Sequence, residues 1–108
     1  MGETGATPVL TSADCVLVHT SATVATTVHR DGAHLVVHFL QASGVTRWTW
    51  PCEIVAAALR NPGVVSGDDA VEIVVDPDTA DLVVTLDGQD GTALLAVPGD
   101  AVRTALAR

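Results

Sequence analysis

At 108 residues the chain has the length of one domain, enough to bury a core without disulfides or a metal. Thirteen carboxylates stand against five arginines and no lysine, for a formal net charge of −8. Arginines scattered at 30, 47, 60, 103 and 108 promise none of the basic face that a nucleic-acid binder needs.

No run approaches the ~18 apolar residues of a membrane span. Residues 1–8 (Met-Gly-Glu-Thr-Gly-Ala-Thr-Pro) have neither the basic start nor the apolar stretch of a signal peptide. They read as a disordered tail, which leaves 9–108 as a single domain and a cytoplasmic location as the expectation. Cys15 and Cys52 read as two small buried thiols rather than a disulfide.

Residues 15–20 read as a first strand and 24–30 as a second. Asp31-Gly32 is a two-residue hairpin signal, because Gly takes positive φ without strain. The returning strand is 34–40. A turn at Asp31-Gly32 sets His29 opposite His34, Val28 opposite Leu35 and Val24 opposite Phe39. One face then carries Val24, Val28, Leu35, Val37 and Phe39. The other carries Ala25, Thr27, His29, His34, Val36 and His38, a mixed face that can be wet.

Ala42-Ser43-Gly44 turns the chain into a fourth strand. Trp48 and Trp50 share a face there, since residues at i and i+2 point the same way, and both are expected buried near Phe39. Pro51 ends the ladder and suits a helix start. Ile54, Val55, Ala58 and Leu59 make one apolar helical face up to about Arg60. Asn61-Pro62-Gly63 stops that helix, with Asn61 in the left-handed cap position. Residues 64–70 read as a polar connection. Strands follow at 71–75, 82–86 and 92–97, separated by Asp-rich and Gly-rich turns. Pro98-Gly99-Asp100 begins a last helix that carries Val102 and Leu106, and Arg108 suits its C-terminal end. The core list from this pattern is Phe39, Trp48, Trp50, Ile54, Leu59 and Leu94.

No catalytic constellation stands out, and a non-enzyme is expected. His34 and His38 share a strand face but lie ~13 Å apart at strand rise. His29 and His34, as cross-strand neighbours, lack the further ligands a zinc site needs, so solvated histidines are the expectation. The run from Asp76 to Asp81 fails the calcium-loop pattern, with Ala80 at the fifth position. No serine lies in a G-x-S-x-G context. No metal and no cofactor is expected. The strands at 71–75, 82–86 and 92–97 offer more apolar surface than two short helices cover. Val36, Val74 and Val83 fall opposite the core face. Together with Arg47 and Arg60 they are the candidate residues of an interface.

From Val36 onward a series of motifs appears in order. Val36-x-x-Phe39 lies in a strand, followed by Val45-x-x-Trp48-x-Trp50 and by the helix start Cys52-Glu53-Ile54-Val55. Asn61-Pro62-Gly63 and Gly67-Asp68 form the connection, and Gly91-x-Ala93-Leu94-Leu95-x-x-Pro98 the closing strand and turn. In this order and spacing the chain resembles the SsgA-like proteins, the sporulation and cell-division family of filamentous actinobacteria. The resemblance implies an α+β, Whirly-like fold of two antiparallel β-sheets, with a helix between the halves and a C-terminal helix (ββββαβββα). It also implies a homotrimer without catalytic residues that acts by protein–protein contact, localising FtsZ at septa and guiding the cell-wall machinery. Whirly relatives bind single-stranded nucleic acid, which is the alternative function. That activity needs a basic groove and stacking aromatics, and the charge of this chain speaks against both the groove and the activity.

Overall fold

The structure is a computed structural model and describes residues 10–67, 70–88 and 91–107. The expected tail at 1–8, the Asp68 of one motif, part of the turn at 87–91 and Arg108 lie outside the described residues. The elements run β1 (Thr11–Leu17), β2 (Thr23–Asp31), β3 (His34–Gln41), β4 (Gly44–Pro51), α1 (Cys52–Arg60), β5 (Ser66–Gly67), β6 (Val71–Val75), β7 (Leu82–Gly88), β8 (Gly91–Val97) and α2 (Gly99–Leu106). The fold class is α+β, as the sequence pattern implies.

The two antiparallel sheets expected are joined into one. Its eight strands are ordered β4-β3-β2-β1-β8-β7-β6-β5, all antiparallel. The seam is short: Val16 faces Ala96 and Leu17 faces Leu95. The Val18 N–H extends it by donating to the Leu94 carbonyl at 3.0 Å. Across this seam the sheet curls, so the inner faces of both halves share one core. Cys15, Val28, Leu35, Val37 and Trp50 from the first half join Ile73, Val75, Leu82, Val84 and Val97 from the second.

Both helices add to that same core, Val55 and Ala58 from α1 and Val102 and Ala105 from α2. Each follows a proline that supplies a fixed φ at the N-terminal boundary, Pro51 and Pro98. Asn61 ends α1 at φ −128° and ψ 70°, not in the left-handed conformation expected. Its side-chain amide instead donates to the Ala57 carbonyl at 3.0 Å, which satisfies a helix-end acceptor without an αL residue.

The first hairpin turns one residue later than expected. Asp31 faces His34, so Gly32 and Ala33 form the loop. Gly32 opens it at φ 60°, as a turn with glycine in its first central position requires. Val28 therefore meets Val37 and not Leu35. The shift is two positions along β3, an even number, so the side chains keep their faces. Val24, Val28, Leu35, Val37 and Phe39 are all buried.

Two other stretches differ from the expectation, and the acidic turn falls where expected. The first strand begins at Thr11, ahead of the expected start, because Thr11, Ala13 and Cys15 alternate with Ser12 and Asp14 in a pattern too polar to stand out. The connection after α1 contains β5, where Ser66 faces Ile73 and also donates from its hydroxyl to the Ile54 carbonyl at 2.8 Å. The acidic turn at 76–81 is held by its own carboxylates. Asp76 Oδ1 accepts the Asp78 N–H at 2.8 Å, and Asp81 Oδ1 accepts the Gly99 N–H at 3.2 Å.

Candidate interaction surface

The core packing of both helices leaves the outer face of the sheet without a helical cover among the described residues. On β3 the outer residues are His34, Val36, His38 and Leu40; on β8 they include Leu94 and Ala96. Cross-strand register lines these side chains into rows. One row runs Val74, Val83, Ala96 and Val16 across four strands and over the seam. A second runs Val45, Leu40 and Ala25 to Asp14. A third, between Arg47 and Ser12, passes through His38 and Thr27.

The first row is apolar, the second is apolar up to Asp14, and both are partly open. Val16, Leu40 and Val45 are exposed at 36%, 42% and 63%. Val74, Val83 and Ala96 are half-buried. Apolar side chains aligned in this way on an uncovered sheet face are the physical signature of a contact surface. Val18, also exposed, continues the surface past the end of β1.

The five interface candidates from the sequence do not form one patch. Val74 and Val83 face each other across β6 and β7. Val36 sits on the outer face but is 1% exposed, enclosed by its own neighbourhood and flanked across the strands by His29 and Thr49. Arg47 is exposed on the outer face of β4, while Arg60 ends α1, which packs into the core on the other side. Neither arginine has an ion-pair partner among the described residues. Val16, Leu40 and Val45 were not singled out from sequence. Val16 is recognisable only once the seam with β8 is known, and Leu40 and Val45 only once β3 and β4 are seen to lack a cover on that side.

The expected core residues separate as well. Phe39 and Trp50 are buried, and Trp50 is fully enclosed. Trp48, Ile54 and Leu59 are half-buried at the margin of the core. Leu94 points outward and is half-buried, whereas its neighbour Leu95 faces the core. The pair Leu94-Leu95 is symmetric in sequence, so only the register of β8 distinguishes them.

The histidines take a different arrangement from the one expected. His29 faces Val36, not His34. Its ring lies beside that of His38, with centroids 6.0 Å apart and planes within 12°. Among the described residues no three His, Cys, Asp or Glu side chains gather where they could hold a metal ion. No described helix is long and apolar enough to cross a membrane. Cys15 is buried and Cys52 half-buried, and both are free.

The inner side of the sheet is open at one end of the core. A cavity of about 340 Å³ lies between the two halves, away from the helices, with walls that include Phe39, Trp48, Leu86 and Leu95. Gln41, Thr46 and Thr92 add the polar part of its lining, and among the described residues no charged side chain lines it.

No family model and no curated protein matches the chain. Among solved structures it is similar to SsgB, mutations in which correlate to longitudinal cell division during sporulation of Streptomyces coelicolor. The identity is 21%, the alignment covers 99% of this chain and 89% of that one, and the TM-score is 0.81. The ordered motifs from Val36 to Pro98 and the three-dimensional likeness thus lead to the same place: this chain has the fold of SsgB, an SsgA-like protein.

Proposed function

We propose that this protein serves sporulation-linked cell division and does so by contact with other proteins, not by catalysis. The observation that carries the reading is the likeness to SsgB over 99% of the chain. The rows of outward apolar side chains support a contact role, because surfaces of that kind favour association. In this reading residues 9–108 act as one unit in the cytoplasm. Copies of the chain assemble, as a trimer by the family resemblance, and the assembly acts at the division septum on FtsZ or the wall machinery.

Single-stranded nucleic acid is less well supported. The arginines that would have to line a groove are engaged or apart: Arg30 donates to the carbonyls of Gly32 and Leu106, and Arg103 lies 3.9 Å from Asp100. A groove that tracks phosphates needs several free cations in line.

The test is a deletion in the host, together with a fluorescent fusion at the native locus. Fusion signal at septa, with septa misplaced or misoriented in the deletion strain, is the expected result. Septa on time and in place, with spores of normal wall thickness, would end the division reading and leave the fold untouched.

A further inference from the structure

The sheet has two edges, and they are unequal. One is β5, two residues long. The other is β4, eight residues long, and no described strand pairs with its far side. The hairpin from β3 to β4 has Ala42 and Ser43 as its loop, with Gln41 facing Gly44. In a two-residue hairpin the flanking pair exchanges hydrogen bonds, and alternate pairs do so along the ladder. The same phase reaches the far end, where the Cys52 N–H donates to the Ala33 carbonyl at 2.8 Å. Thr46 and Trp48 therefore bond to β3, while Val45, Arg47 and Thr49 turn their N–H and C=O groups outward. All three are exposed.

Such an edge is normally blunted by lysine, proline or a bulge. This chain has no lysine, and the proline of β4 stands at its last position, Pro51. Immediately inside the edge lies the cavity walled by Trp48 and Phe39, to which Thr46 also contributes. A strand added to β4 would place the side chains opposite Thr46 and Trp48 on the inner face, over that cavity. The side chain opposite Arg47 would fall on the outer face.

We infer that the edge of β4 and the cavity inside it form one docking site, and that its occupant is an extended segment of a different protein. The segment carries a carboxylate facing Arg47 and an uncharged apolar residue on each side of it. Strand addition gives such a site affinity through the backbone and specificity through alternate side chains. Arg47 lies beside His38 on the outer face and has no anionic partner among the described residues, which makes a local cationic spot on an acidic chain. The cavity, with no charged side chain among its described lining residues, selects apolar side chains.

A second copy of this chain fits the site poorly. Two-fold pairing of β4 with β4 that uses all three outward positions sets Arg47 against Arg47, a like-charge pair directly opposite. Head-to-tail pairing has, among the described residues, only the two of β5 to offer. The inference rests on the geometry of this edge and not on the division role.

The probe is the capped peptide acetyl-Thr-Ile-Glu-Val-Thr-amide at about 1 mM, a concentration suited to weak strand addition. Amide exchange is read by NMR on isotope-labelled protein. The expected result is slower exchange at the N–H groups of Val45, Arg47 and Thr49, by about tenfold or more, with a blue shift of Trp48 emission. A peptide methylated on the Glu nitrogen loses the central backbone bond and should give neither effect. Arg47→Glu, an exposed substitution, should reverse the preference toward a Lys-for-Glu peptide by about tenfold. Unchanged exchange with every peptide would overturn the site. Protection of the three N–H groups in the protein alone, rising with its concentration, would hand the edge to a second copy and overturn the proposed occupant. Equal binding of both peptides by Arg47→Glu would remove the charge rule on which the partner's chemistry depends.

Discussion

Trp48 and Trp50 project from the same face of β4, facing Val37 and Leu35 across the ladder, yet they meet different surroundings. Trp50 is 0% exposed, whereas Trp48 stands half-buried at the cavity. Two residues of strand carry the chain from the open part of the curled sheet to the part that α1 closes. The indole N–H of Trp50 is enclosed without a hydrogen-bond partner among the described residues, a cost of about 1–3 kcal/mol for a desolvated donor.

The two tryptophans should separate in mutational cost. Trp50→Ala is expected to lose ~3–5 kcal/mol by cavity formation, and Trp48→Ala about half of that or less. Trp50→Phe removes the unpaired N–H with part of the ring, so it should cost well under Trp50→Ala. Urea unfolding midpoints at constant m-value measure all three. Equal losses at positions 48 and 50 would contradict the difference in burial.

The outer row of Val74, Val83, Ala96 and Val16 should mediate self-association. Light scattering after size exclusion, at tens of micromolar, is expected to give a mass of about three times 11.1 kDa. Val16→Asp combined with Val83→Asp should lower that mass with little loss of stability, because both side chains point away from the core. A wild-type protein that elutes at the chain mass would remove the assembly.

The cysteines should differ in reactivity and in their effect at alkaline pH. Burial pushes the Cys15 thiol above its ordinary range; a hydrogen bond with Thr26 pulls it down and the nearby Asp14 carboxylate adds to the rise. The folded chain thus holds the thiol neutral at a pH where the unfolded chain ionises it. Stability from this group is complete below the ordinary thiol range and falls as pH rises from there through the folded value. Cys15→Ala should flatten that alkaline decline. A thiol reagent at neutral pH should label half-buried Cys52 before Cys15, and the order of labelling by mass spectrometry is the check.

Gly99→Ala should destabilise the protein although Gly99 begins a helix. Any Cβ there would run into the Ala80 carbonyl oxygen, which belongs to the turn that Asp81 ties to the Gly99 N–H. Backbone on backbone leaves no flexible side chain to yield, so a loss of ~1–3 kcal/mol is expected. A melting temperature equal to that of the parent would show that the turn can move aside.

Single-stranded DNA should not bind at physiological salt. The net charge of −8 and the absence of lysine remove the counterion-release term that drives such binding. Fluorescence anisotropy with a labelled oligonucleotide decides it; a salt-dependent isotherm in the micromolar range or tighter would revive the nucleic-acid reading.

The alternation of apolar residues was enough to place β2, β3, β4, β6, β7 and β8 and, in all of these but β8, to divide inner from outer side chains. That division survived a hairpin misplaced by one residue, because moving the loop shifts the partner strand by two positions and conserves the faces. Proline position marked both helix starts, since a missing N–H and a fixed φ act locally. These features depend on neighbours a few residues apart, which is why the sequence by itself determined them. The seam between β1 and β8 depends on residues almost eighty positions apart and rests on only two register pairs, Val16 with Ala96 and Leu17 with Leu95. Nothing in either segment names the other. Only the tertiary structure decided that one curled sheet would form, that both helices would fill its inside and that the row from Val74 to Val16 would remain uncovered. It also decided which of two adjacent leucines, Leu94 and Leu95, entered the core. Which faces are apolar is a property of each strand, but which of them stay open is a property of how the strands are ordered and curled.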